Sequence, residues 1–204
     1  MDKPGYKKKF QVSIKRQADF LLSLAVLIIL SPLFLLIAFL VKITSKGPVF
    51  FIQERPGKDA KMFSIIKFRT MAAGAEKFGL NMEESNPRIT RIGRLLRRTH
   101  LDEMPQLVNI IKGQMSFVGP RPPLLSQVDM DSDFEKRRFL MKPGLAGWAQ
   151  LNGANWISWQ ERVKYDVWYV DNFSIFLDVK IFILSFWKLV IRGDGVYDTK
   201  GKKS

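Results

Sequence analysis

Cysteine is absent from this chain of 204 residues, and histidine occurs once, as His100. The first absence excludes disulfides, thiolate zinc sites and thiol nucleophiles. The second excludes a multi-histidine metal centre. A metal here must take oxygen ligands, which suits a hard cation such as Mg²⁺. Acidic residues are scarce as well, 19 Asp and Glu against 33 Lys and Arg, so the net charge is +14. Such a surplus implies an anionic partner: nucleic acid, anionic lipid or a phosphorylated substrate. Hydrophobic residues make up 47% of the chain, enough for a packed core.

The longest stretch nearly free of charge runs from Ala18 to Val41, with Asp19 its one charged residue. As a continuous helix it would extend about 36 Å, enough to cross a bilayer. It is too long for a signal peptide, and no small-residue cleavage site closes it. Ser31-Pro32 lies near its middle. Proline removes an amide hydrogen bond and clashes with the preceding turn, so the helix kinks or breaks there. Lys3, Lys7, Lys8, Lys9, Lys15 and Arg16 precede the run, and Lys42, Lys46, Arg55, Lys58 and Lys61 follow it. Positive residues favour the cytoplasmic side, and here both ends are positive. Two readings fit: a reentrant helix broken at Ser31-Pro32, with both ends in one leaflet, and a spanning helix with a tolerated kink. Either argues for lipid and phosphates as the anionic partners and against nucleic acid.

Residues 48–71 have the pattern of a small β-hairpin, with Arg55-Pro56-Gly57-Lys58-Asp59 as its turn. Lys67 and Arg69 alternate with Phe68 and should share one strand face. Residues 72–90 are a polar connector. A basic helix is expected over Ile89–Arg98, and a second over Pro105–Ile111, where proline suits the first turn. Asp102 and Glu103 then fall at or just before the start of the second helix. Arg94, Arg97 and Arg98 precede them; Lys112 and Arg121 follow. Adjacent carboxylates ringed by cations suit a metal and a phosphate together, although an Asp-Glu pair alone also starts many ordinary helices.

Gly119-Pro120-Arg121-Pro122-Pro123 is a rigid loop suited to holding one arginine in place. Phe134–Met141 is a basic helix candidate, 142–153 a glycine-rich loop or strand-turn, and Trp156–Asn172 an aromatic helix whose rings pack. Phe173–Ile191 is apolar but carries Asp178, Lys180 and Lys188, which favours a buried or interfacial amphipathic helix over a second span. The expected fold is α+β and mostly helical. It comprises a basic flank (1–17), the membrane helix (18–41), a catalytic domain (42–192) and a polar tail (193–204).

Taken together, these segments resemble the bacterial sugar transferases, specifically the small monotopic phosphoglycosyl transferases. The matching residues include Ser31-Pro32, Gly47-Pro48, Gln53 to Gly57, Lys67 to Met71, Leu101 to Leu107 and Met115 to Pro122. Lys142-Pro143-Gly144, Gln150 to Gly153 and Asp166 to Val170 also match, so the resemblance runs from about Lys15 to about Ile191. It implies transfer of a sugar-1-phosphate from a UDP-sugar to a polyprenol phosphate, with release of UMP. It makes Asp102 the nucleophile of a covalent intermediate and Glu103, beside Asp102, the Mg²⁺-binding carboxylate. Lys67, Arg69, Arg97 and Arg121 fall on basic positions around the active site. The resemblance also implies a reentrant helix in the bacterial inner membrane, an active site at the cytoplasmic face, and later glycan-assembly enzymes as further partners. The chain shows no extra N-terminal spans, which favours the small form. One departure stands out: family members often carry Arg after Asn-Gly in the last loop, where this chain has Ala154. Arg137 and Arg162 are candidates to replace it. The competing class is a basic, membrane-anchored adaptor without catalysis.

Overall fold

A computed structural model describes residues 6–72, 74, 86, 88–153 and 156–190. Most of the connector 72–90, Ala154 and the tail Gly193–Ser204 lie outside those residues. Helix α1 spans Tyr6–Ile29 and α2 spans Ser31–Thr44, with Leu30 between them and a bend of 65°. The chemistry of the break is local. Pro32 sits in the first turn of α2, where its missing N–H is no loss to that helix. It cannot donate to the Ile28 carbonyl four residues back, and the Ser31 hydroxyl does so instead, at 2.8 Å. Among the described residues no single helix is long and apolar enough to cross a membrane; the bent pair passes that test only together.

Helix α1 begins well before the apolar run, because its basic end docks on the rest of the protein. Gln11, Lys15, Arg16 and Asp19 share one helical face. The Gln11 side-chain oxygen accepts from the Ile175 N–H, and Lys15 donates to the Val118 carbonyl at 2.9 Å. Arg16 donates to the carbonyls of Ile110 and Ile111 at 2.7 and 2.8 Å. Asp19 is buried and accepts from the Phe117 N–H. The one charge in the apolar run is therefore bonded to protein.

Strands β1 (Phe50–Pro56) and β2 (Met62–Phe68) form the expected antiparallel hairpin. Its register sets Phe51 opposite Lys67, Gln53 opposite Ile65 and Arg55 opposite Phe63. Helix α3 (Arg91–Arg98) starts at Thr90, whose hydroxyl caps the Gly93 N–H. It lies so close to the chain leaving β2 that a Cβ on Gly93 would sit 1.9 Å from the Thr70 carbonyl oxygen. Helix α4 (Gln106–Ile111) follows, and its Leu107 and Ile110 pack with Phe63, Ile65 and Met115.

The second half holds an element the sequence reading left undecided. Strands β3 (Ser116–Val118) and β4 (Gly144–Ala146) form a parallel pair. Three-residue strands have no legible periodicity, and their pairing is set by a distant contact. A Cβ on Gly144 would lie 2.1 Å from the Gly119 nitrogen, so glycine allows this approach. The helix expected over Phe134–Met141 is α5 (Asp133–Lys136) continued as a 3₁₀ turn (Arg137–Leu140). Then come α6 (Trp148–Leu151), α7 (Trp159–Asp171) and α8 (Ile175–Val190). Ser158 and Glu161 form a capping box that starts α7. The aromatics of α7 do pack: Trp168 stacks on Trp148, and Tyr169 is buried with Val118, Phe173 and Ile181.

Candidate active site

Asp102 and Glu103 lie in a 3₁₀ turn, Leu101–Glu103, just before α4. His100 precedes the turn at φ 55°, a left-handed conformation that costs a β-carbon-bearing residue free energy. Its carbonyl accepts from the Glu103 N–H at 3.1 Å, so this conformation sets the direction of the turn. Burial lowers the His100 pKa, with the nearby charges making smaller contributions.

Glu103 is tied down from two sides. Lys67 Nζ on β2 reaches its Oε1 at 2.7 Å. Arg121 Nη2, on the proline-flanked loop after β3, reaches the same oxygen at 2.5 Å, and Nη1 lies 3.4 Å from Oε2. Burial alone would raise the Glu103 carboxyl. The charges of Arg121 and Lys67, with their hydrogen bonds, outweigh it and hold the group well below the usual carboxylate range. Asp102 is the opposite case. Among the described residues no side chain hydrogen-bonds to it. Burial, and then the charge of Glu103, push its pKa up to about 6, against the pull of Lys67, Arg97 and Arg121. Two adjacent carboxylates thus have distinct characters: one fixed and held ionised by two cations, the other more basic and, among the described residues, without a side-chain donor. A more basic carboxylate is the better nucleophile.

Arg97, on α3, donates through Nε to the Thr70 hydroxyl at 2.8 Å and bears on Asp102 by its charge. Arg69 departs from the expected arrangement. It lies just past the end of β2 and is buried. Its Nη1 and Nη2 donate to the carbonyls of Lys46 and Ser45, and Nη2 also to the Ser45 hydroxyl. Those nitrogens therefore hold the end of α2 against the hairpin, and the structure does not bring them to the carboxylates. The reason is that β2 ends at Phe68, so the strand alternation linking Lys67 to Arg69 does not continue.

Behind the loop, Arg138 and Asp166 form a fully buried ion pair at 2.5 Å. The Arg138 guanidinium stacks over Trp159, and its Nη2 also donates to the Arg121 carbonyl at 3.1 Å. This network anchors the backbone that presents Arg121. No local sequence pattern marks Arg138 as part of the site, and Asp166 stands in the sequence only as part of the matching segment Asp166 to Val170. Arg55 is likewise not singled out by its local sequence, where it stands within the matching segment Gln53 to Gly57. It lies half-buried near Arg121 and Glu103, with burial and then Arg121 drawing its pKa down to about 10. The hairpin register would have revealed it, since Gln53 and Arg55 share a face with Lys67. Arg137 is turned away, paired with Asp171 at 2.6 Å, whereas Arg162 bears on Asp166 and Arg121 by charge.

Among the described residues no three acidic or histidine side chains cluster as a closed metal cage. Glu103 already bonds to Lys67 and Arg121, so a Mg²⁺ held by Asp102 and Glu103 would share Glu103 with them and complete its shell with substrate phosphates and water.

The structure is a helical protein with two small sheets, a bent apolar helix pair and a carboxylate pair set among cations. The chain belongs to the bacterial sugar transferase family, whose profile matches residues 10–192. It is similar to EpsL of Bacillus subtilis, described as an uncharacterized sugar transferase, with 41% identity covering 91% of each chain. It is also similar to the exopolysaccharide production protein ExoY of Rhizobium meliloti, 38% identical over 82% of this chain and 81% of that one. The UDP-glucose:undecaprenyl-phosphate glucose-1-phosphate transferase of Escherichia coli is 37% identical over 86% of this chain. This chain spans about two fifths of that longer relative, the match covering 40% of it. The protein is thus a transferase of its family.

Proposed function

We propose that the protein transfers a sugar-1-phosphate from a UDP-sugar to a polyprenol phosphate and releases UMP. The observation that carries this reading is the division of labour between Glu103, pinned by Lys67 and Arg121, and Asp102, which is left available. In the first step an Asp102 carboxylate oxygen bonds to the sugar-bearing phosphorus, and the bond from that phosphorus to the bridging oxygen breaks. UMP leaves with the electron pair, and an aspartyl-phosphosugar remains. In the second step a phosphate oxygen of the polyprenol phosphate attacks the same phosphorus. The carboxylate is restored, and a polyprenyl diphosphosugar is the product, ready for a later glycan-assembly enzyme. Asp102 and Glu103 would hold Mg²⁺, which when bound supplies positive charge to the diphosphate. Lys67, Arg121 and Arg97 offset the charge of the phosphoryl group in transit.

The membrane reading goes with this. The bend at Leu30, basic residues at both ends of the pair and the exposed apolar faces of α1, α2 and α8 support a reentrant hairpin entering from the cytoplasmic leaflet of the inner membrane. Ile29 and Leu35 at the turn are 72% and 70% exposed, as a lipid-facing tip requires. A soluble donor and a lipid acceptor would meet at such a surface.

The test is UMP release from a panel of UDP-sugars, with polyprenol phosphate and Mg²⁺ in lipid particles. Asp102→Asn should reduce release to background, and a trapped phosphosugar adduct should be found on Asp102 in the wild type. Turnover that survives Asp102→Asn would overturn the assignment. A folded protein silent with every donor would favour the adaptor.

A further inference from the structure

The cations of the site do not all have an anionic partner. Lys67 and Arg121 both bond to Glu103. Among the described residues Arg55 bonds only to neutral groups: its Nε and Nη2 donate to the Gln53 side-chain oxygen at 3.1 and 2.6 Å, and Nη1 to the Pro122 carbonyl at 3.4 Å. Pro122 is next to Arg121, so two guanidinium groups are kept near one another with a single carboxylate, Glu103, close to both. Like charges in a half-buried place repel. The fold nevertheless holds Arg55 there, on the hairpin face that also carries Lys67.

The position of Arg55 is directional. The hairpin register sets Arg55 opposite Phe63, four residues along β2 from Lys67 on the same face, and its contact with the Pro122 carbonyl puts it against the loop that carries Arg121. Arg55 bears on Glu103 and Arg121. It therefore extends the row of cations along the hairpin from Lys67, on the side of the Arg121 loop. A diphosphate has two anionic centres. If the phosphorus under attack sits at Asp102, the other phosphate must lie farther along that row.

Resting on the transferase reading above, we propose that Arg55 binds the donor phosphate that departs with the nucleotide. Gln53 orients the guanidinium, since the two nitrogens it accepts from fix the plane of the fork, and Nη1, whose contact with Pro122 uses one N–H, keeps a second N–H for a phosphate oxygen. In that position Arg55 holds UMP before and after the bond breaks. It contributes to affinity for donor and product alike.

The experiment compares wild type, Arg55→Gln and Arg55→Lys, measuring donor KM, kcat and direct calorimetric binding of UMP. Arg55→Gln should raise the donor KM and weaken UMP binding by about tenfold or more, the loss expected for a charge-assisted hydrogen bond. Its kcat should change less than KM, and Arg55→Lys should recover part of the affinity. Unchanged KM and UMP affinity would overturn the proposal. So would a fall in kcat alone with a lower melting temperature, because that result assigns Arg55 to holding the Pro122 loop. The general reading fails separately: it falls if wild type releases no UMP, whereas an active wild type with an indifferent Arg55→Gln sinks only the present proposal.

Discussion

Lys15 and Asp178, 163 residues apart in sequence, form an ion pair 2.5 Å long with both side chains about nine-tenths buried. The pair fastens the first helix to the last. Tyr169 donates to the other Asp178 oxygen at 2.7 Å, and Lys15 also donates to the Val118 carbonyl. Lys15→Met should destabilise the protein by about 3 kcal/mol, because it leaves a buried carboxylate without its cation. Asp178→Asn should cost less, since the amide can still accept from Tyr169. Thermal melts of both variants in one detergent would check the order.

The link between Lys67 and Glu103 carries a prediction about rate. Lys67→Met leaves Glu103 with Arg121 alone and removes a cation near Asp102. We expect kcat to fall about a hundredfold, in line with losing one electrostatic contact to the reacting group, while the melting temperature changes little. Steady-state UMP release against donor concentration would show it.

Activity should depend on pH through Asp102. Its carboxyl, raised to about 6, must be ionised to attack, so kcat/KM should climb through about pH 6 as pH increases. Stability should move the other way. Folded Asp102 holds its proton more tightly than the unfolded chain, whose ordinary value is 3.8. Between about pH 4 and pH 6 the folded state therefore binds the extra proton, and stability declines as pH rises across that window. Asp102→Asn removes the titration. Its melting temperature should exceed that of wild type at pH 7 and should converge toward it near pH 4.

The bend between α1 and α2 can be read by labelling, because the chain has no cysteine of its own. Cysteines introduced in turn at Lys8 and Lys46 should react with an impermeant reagent from the same side of sealed vesicles. In a Ser31→Leu, Pro32→Leu background the pair loses both the break and its hydroxyl cap. The helix should then straighten, and the two sites should react from opposite sides. Labelling that stays on one side in that background would mean the bend does not depend on this dipeptide.

Much of this was legible in the residues themselves. The Ser31-Pro32 break, the hairpin over 48–71 and a basic helix over Ile89–Arg98, found as Arg91–Arg98, follow from proline chemistry, strand alternation and the helical spacing of the apolar residues. These are short-range effects, fixed by residues within about four positions of one another, so sequence displays them directly. The prominence of Asp102 and Glu103 was legible for the same reason.

The tertiary structure decided what each charge does. Asp102 and Glu103 are neighbours with the same ordinary chemistry, yet Lys67 and Arg121 arrive from elements 36 and 18 residues away to fix one and leave the other. Arg69, two residues from Lys67, turns to Ser45 and Lys46 because its strand has ended. Asp19, the one charge in the apolar run, is satisfied by Phe117, 98 residues on. Arg55 enters the site through a register that only the folded hairpin sets. The sequence determined which charges were present and where the backbone must turn. Their pairing, burial and relative basicity depend on distances of a few ångströms between segments far apart in the chain, and only folding brings those segments together.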